Sequence, residues 1–125
     1  MPETLIAIAL GGAIGGVARH ALATAVQKLA RSDFPWGTLS VNFTGSLAIG
    51  MLAAFMGVTD SGIVTGAAEL MLITGLLGSF TTVSAFSLQT LALYREGKQC
   101  QAAINILAST VLCLTGAWVG VAVIT

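Results

Sequence analysis

Four long apolar blocks take up most of this chain, and short polar stretches separate them. The first block covers residues 5–26 and gives way to QKLARSDFPWG; the second covers 38–58 and closes at Thr59-Asp60-Ser61-Gly62. A third runs from 63 to 94, ahead of REGKQCQ, and a fourth from 102 to 124. A helix rises about 1.5 Å per residue, so roughly 20 apolar residues cross the ~30 Å hydrocarbon of a bilayer. Blocks one, two and four fit one crossing each. The third is too long by about ten residues, which predicts a steep tilt or a break. Within it, TGLLGSFTTVSAFS (residues 74–87) sets Gly75 and Gly78 among Ser79, Thr81, Thr82, Ser84 and Ser87. Hydroxyls and irregular backbone at membrane depth must face protein or a wet path, because lipid offers them no hydrogen bonds. The expected fold is therefore all-α, a single membrane domain over 1–125 with four transmembrane helices, the third broken near 78–82.

Composition supports that reading. Of 125 residues, 56% are hydrophobic and only 8% charged, with a mean hydropathy of +0.95. A soluble domain carries roughly a quarter charged residues, so this chain cannot cover a solvated surface. Five basic residues balance five acidic ones, which leaves no footprint for nucleic acid. Cys113 lies inside an apolar block and Cys100 beside a charged link, and neither has metal-ligand spacing. His20 has no second His or Cys near it in sequence and reads as an interfacial histidine. No nucleophile–base pair or metal constellation stands out, so the chain reads as a non-enzyme. The start, MPETLIAIALGGAIGGVARH, is acidic before its apolar run and reads as a retained first span rather than a cleaved signal.

Small and polar residues inside the spans carry the remaining information. Gly11/Gly15, Gly12/Gly16, Gly62/Gly66 and Gly116/Gly120 are small-xxx-small pairs, which let helix backbones approach closely within the chain or a dimer. Asn42 lies in the second span, and Asn105, Ser109 and Cys113 recur at i, i+4 and i+8 along one face of the fourth. Each could be an ordinary interhelical hydrogen bond worth about 1 kcal/mol. Together with the hydroxyl cluster, and with no carboxylate or lysine among them, they predict a neutral, donor-rich path suited to an anion shedding its water. Arg19 is the basic residue closest to lying within a span. It either snorkels to the interface or raises the local anion concentration at a pore vestibule.

The blocks GGAIGGVARH (11–20), GTLSVNFTG (37–45), GLLGSFTTVSAFS (75–87) and YREGK (94–98) together resemble the CrcB/Fluc family of fluoride channels, in order, spacing and chain length. The resemblance covers essentially the whole chain. It implies a fluoride-selective channel that passively exports cytoplasmic fluoride across the bacterial inner membrane, built as an antiparallel, dual-topology dimer with two pores. It also implies a central structural Na+ that is not transported, held by the backbone carbonyls of Gly78 and Thr81. Asn42 matches the family's pore asparagine, Phe86 the second of its pore phenylalanines, and Arg19 the arginine ending the first helix. Ser109, with Asn105 and Cys113, falls on the fourth-helix polar track, and Thr38 belongs to the second-helix block on the same path.

Two departures bear on the pore. Val83 stands where the family carries its first pore phenylalanine, so the missing ring edge comes from Phe80, one turn earlier, or is not supplied by this subunit. Asn105 stands where relatives often carry tyrosine. Charge adds a question of assembly: Lys28, Arg31, Arg95 and Lys98 lie in the first and third links, which predicts both termini outside. An antiparallel homodimer needs insertion both ways; a heterodimer with an oppositely inserted paralogue is the alternative. Rival classes are a small four-helix multidrug or guanidinium exporter and a non-transporting membrane assembly subunit. The exporter needs a carboxylate deep in the first helix, where this chain has only Glu3, ahead of the span.

Overall fold

A computed structural model of the chain describes residues 2–57 and 66–125. Helix α1 spans Pro2–Ala30 and α2 spans Trp36–Phe55. The third crossing comes in two parts. Its first part, α3, is a stack of a short α turn (Ala67–Glu69), a π-helical stretch (Leu70–Leu77) and another short α turn (Gly78–Phe80). After a break at Thr81 and Thr82, α4 continues over Val83–Arg95. Helix α5 spans Gln99–Ile124. Among the described residues, four helical segments, counting Ala67–Arg95 as one, are long and apolar enough to cross a membrane. The turn at 59–62, the last residue of the second apolar block and the first three of the third lie outside the described residues.

The longest seams join α2 to α5 and α1 to α3. Both bring backbone against backbone. A Cβ added at Gly15 would stand 2.0 Å from the Leu76 carbonyl oxygen, and one at Gly75 would stand 2.6 Å from that of Ile8. Across the other seam, a Cβ at Gly120 would lie 2.4 Å from Leu47 O, and one at Gly50 would lie 2.2 Å from Ala117 O. Lipid tails are as apolar as leucine, so helices in a bilayer gain little by hiding leucine; they gain by close van der Waals approach. Many large side chains accordingly point outward: Leu5, Leu10, Val17, Leu107, Leu114 and Trp118 are all exposed on the single chain.

The links are tied down by side chains. In the first, Gln27 Nε2 donates to the carbonyls of Ser32 (2.7 Å) and Phe34 (3.0 Å), while Gly37 N–H donates to Gln27 Oε1 (3.0 Å). The third link turns at Gly97, whose φ of 81° favours glycine. Lys98 in that link hydrogen-bonds Asp33 in the first, so the two links share one end of the bundle. The hydrogen bond from Lys98, and then its charge, hold the Asp33 carboxyl below its ordinary range; the same bond raises the Lys98 ammonium.

Candidate functional site

The break is organised by Asn42. Its Nδ2 donates to the Thr82 carbonyl and its Oδ1 accepts from the Thr82 N–H, both at 2.8 Å, so one amide side chain takes up both backbone groups of one residue. Thr82 is extended (φ −150°, ψ 124°) and its hydroxyl caps α4 by accepting from Ala85 N–H at 3.1 Å. Thr81 is extended as well (φ −87°, ψ 156°), its own N–H and hydroxyl still donating back to the Leu77 carbonyl. Because the Thr82 N–H turns to Asn42, the Gly78 carbonyl loses the i+4 amide that a continuous helix would give it. Ahead of the break, Ser79 Oγ reaches the carbonyls of Gly12 (2.7 Å) and Gly75 (2.9 Å) and ties α3 to α1. Among the hydroxyls of 74–87, Thr82 thus caps α4 and Ser79 tethers α3 to α1, while Ser84 is exposed beside the Thr82 hydroxyl.

Beside the break lies a cavity of about 320 Å³, walled by Asn42 and Ser46 of α2, by Thr81, Thr82, Val83 and Phe86, and by Ser109, Thr110 and Cys113 of α5. Among the described residues that line it, the polar groups are amide, hydroxyl and thiol, and none is charged. Asn42 spends one amide hydrogen on Thr82 and keeps a second. Phe86 brings a ring whose edge carries positive electrostatic potential. Such a wall offers hydrogen and ring-edge donors to a small anion without a fixed cation to trap it.

A second cavity, about 180 Å³, lies between α1, α2 and α4 and is lined by Arg19, His20, Thr38, Thr82 and Gln89 among others. Arg19 Nε is buried there without a hydrogen-bond partner, and so is Gln89 Oε1. Thr82 borders both cavities, so the break separates a compartment with a cation from one without.

The residues singled out from the sequence therefore fall into groups. Asn42, Thr81, Val83, Phe86, Ser109 and Cys113 share the first cavity, and Arg19 and Thr38 the second. Phe80 and Asn105 line neither. The Phe80 ring packs beside Gly45 of α2, while Asn105, 1% exposed, bonds Thr90 and Ser109. Val83 is 76% exposed on the single chain. Gln89 escaped sequence reading because a glutamine one turn beyond Phe86 looks like any interfacial polar residue; only its buried, unpartnered oxygen marks it. Thr90 escaped for a similar reason, since its partner lies 15 residues away on another helix.

Among the described residues, four apolar crossings, one of them broken around a half-buried amide–backbone clamp, define a multi-pass membrane protein. The family model described as "CrcB-like protein, Camphor Resistance (CrcB)" matches residues 6–121, and the chain belongs to that family. It is 46% identical to a protein of Opitutus terrae over 90% of this chain and 86% of that one. It is 43% identical to one of Geobacter sulfurreducens over 94% of both chains, and 46% identical to one of Magnetococcus marinus over 93% of both. Each of these relatives is named a fluoride-specific ion channel FluC.

Proposed function

We propose that this chain is the subunit of a fluoride-selective channel through which cytoplasmic fluoride leaves a bacterial cell passively, across the inner membrane. One observation carries the reading beyond the names of the relatives: the uncharged cavity at the break, where Asn42, Phe86 and Ser109 meet. Fluoride is small and strongly hydrated, so a path for it must replace water with donors yet bind loosely enough to let it go. Amide and hydroxyl hydrogens with a ring edge meet both requirements. Arg19, in the adjoining cavity, raises the anion concentration at the entrance.

The working unit is an antiparallel pair of identical chains, with a heterodimer of oppositely inserted paralogues as the variant to be tested. The break fits a structural Na+. Unwound backbone at membrane depth is a natural cation site, and the Gly78 carbonyl has lost its helical donor. Gly78 and Thr81 would hold the ion through backbone oxygens, and it would supply fixed positive charge that locks the break without passing through.

The test is fluoride efflux from liposomes that contain this purified chain alone, with chloride as control and sodium replaced by a large organic cation in a parallel set. Fluoride efflux without chloride efflux is expected, lost when sodium is withdrawn. A silent chain that conducts only with an added paralogue would establish the heterodimer. Equal fluoride and chloride rates would overturn the selectivity, and sodium-independent flux and assembly would overturn the cation.

A further inference from the structure

The α4–α5 seam holds a polar chain, buried at its Asn105–Ser109 end and half-buried at Thr90, that reaches the cavity from behind. Thr90 Oγ donates to the Phe86 carbonyl at 2.7 Å; Asn105 Nδ2 donates to Thr90 Oγ at 2.8 Å; Ser109 Oγ donates to Asn105 Oδ1 at 3.3 Å. Asn105 is 1% exposed and Ser109 7%, yet Ser109 also lines the cavity. Every donor in this chain runs the same way, from the cavity wall toward the Phe86 backbone. In that arrangement the Ser109 proton is committed to Asn105, and the cavity meets the oxygen's lone pairs, which repel an anion.

An amide has a second orientation of nearly the same shape, with oxygen and nitrogen exchanged. Turned over, Asn105 Oδ1 accepts from the Thr90 hydroxyl, which leaves the Phe86 carbonyl, and Nδ2 donates to Ser109 Oγ. The Ser109 proton is then free to point into the cavity. Donors and acceptors balance apart from the Phe86 carbonyl, whose i+4 amide is that of Thr90 within α4. We infer that Asn105 is a positioning residue, outside the cavity, whose amide orientation sets whether Ser109 offers the passing anion a proton or a lone pair. Leucine could not do this, and aspartate, with two acceptors, would hold the serine proton permanently. The inference rests on the anion-channel reading above.

The test is a mutant cycle on fluoride efflux per reconstituted channel, with the thermal midpoint of each purified protein measured alongside. Thr90→Val and Ser109→Ala remove the two ends, which share no hydrogen bond except through Asn105. The double variant is expected to depart from the product of the single effects by roughly fivefold, and Ser109→Thr, which keeps the hydroxyl, to restore the coupling. In an Asn105→Leu background the departure should vanish. Multiplicative flux effects, with coupling seen only in the thermal midpoints, would show that the chain merely holds two helices together and would overturn the inference. So would coupling that persists with leucine at 105. Should Asn105→Leu fail to fold, the cycle in the native background decides alone. A wild-type chain that passes no anion would remove the channel reading itself, a result distinct from a conducting channel with uncoupled ends.

Discussion

The two halves of the third crossing are built on different principles. Before the break, α3 lies against α1 with backbone touching backbone: Gly15 against the Leu76 carbonyl, Gly75 against that of Ile8, and the Ser79 hydroxyl bridging to Gly12. After it, α4 meets α5 through the Thr90–Asn105 hydrogen bond, and Leu93 is its one buried apolar side chain. The first seam brings backbone so close that even one added methyl would collide. The second leaves room, and its side chains line the cavity at the break. A channel needs both: a rigid half to hold the break in place, and a half open enough to conduct. The contrast predicts that changes in α1 and α3 damage assembly, whereas changes around α4 and α5 damage conduction in an assembled protein.

The largest expected effect is at Gly15. Its added Cβ would collide with backbone, which cannot move aside as a side chain can, whereas a Cβ at neighbouring Gly16 meets nothing within 4 Å. Overpacking typically costs about 1–3 kcal/mol and more against backbone. Gly15→Val should therefore yield little or no assembled protein on size-exclusion chromatography, and Gly16→Val should resemble wild type. Equal behaviour of the two would mean that α1 and α3 do not meet as described.

Asn42→Asp comes next and should act on conduction. The aspartate keeps an acceptor for the Thr82 N–H but loses the donor to its carbonyl, and it places negative charge at the cavity wall. A unit charge about 4 Å from a passing anion costs on the order of 4 kcal/mol at an effective dielectric of 20, or roughly a thousandfold in rate. Fluoride efflux should fall to background in a protein that still elutes as wild type. Normal flux would place the path elsewhere.

The two phenylalanines separate cavity from packing more finely. Phe86 lines the cavity, whereas Phe80 rests beside Gly45. Phe86→Leu should slow efflux by about tenfold, the scale of one aromatic edge contact, and Phe80→Leu should lower the thermal midpoint more than the flux. Reversal of that order would make Phe80 the ring that replaces the one missing at Val83. Adding Val83→Phe should then rescue Phe80→Leu.

The smallest effect belongs to the Asp33–Lys98 tether, which joins the links at the end of the bundle. A carboxyl held low stabilises the fold above its unfolded value and stops doing so as pH falls through its folded one. An ammonium held high stabilises below its unfolded value and is lost as pH rises through its folded one. Because both groups are exposed to solvent, the contribution is small and screened by salt. Asp33→Asn should lower the thermal midpoint slightly at neutral pH, with the difference from wild type shrinking at both the acid and the alkaline extremes. A difference that grew toward acid would exclude the pair as its source.

Much of the fold was legible along the chain because it depends on local quantities. Apolar length marks the crossings, the excess length of the third block demands a break, and the glycines and hydroxyls of 74–87 locate it at the residues where Thr81 and Thr82 are extended. The helices run past the apolar blocks at several ends: Gln27, within α1, bonds the turning backbone of the first link, and Lys98, just ahead of α5, reaches across to Asp33. The π-helical stretch of α3 had no counterpart in the hydropathy pattern, which does not distinguish one helical hydrogen-bond register from another.

What a polar side chain does inside the bundle was decided elsewhere. Sequence alone marks Asn42 and Asn105 as amides that need partners in a place where lipid provides none. It cannot say that Asn42 takes both backbone groups of a residue 40 positions away, or that Asn105 turns from the cavity toward Thr90. Equally, Gly15 and Gly16 are indistinguishable as letters, yet one faces backbone and the other open space. Crossings are set by how each segment partitions between water and lipid, a property of the segment itself. Partners are set by the rotation and offset at which two helices meet, and that geometry exists only once the chain has folded.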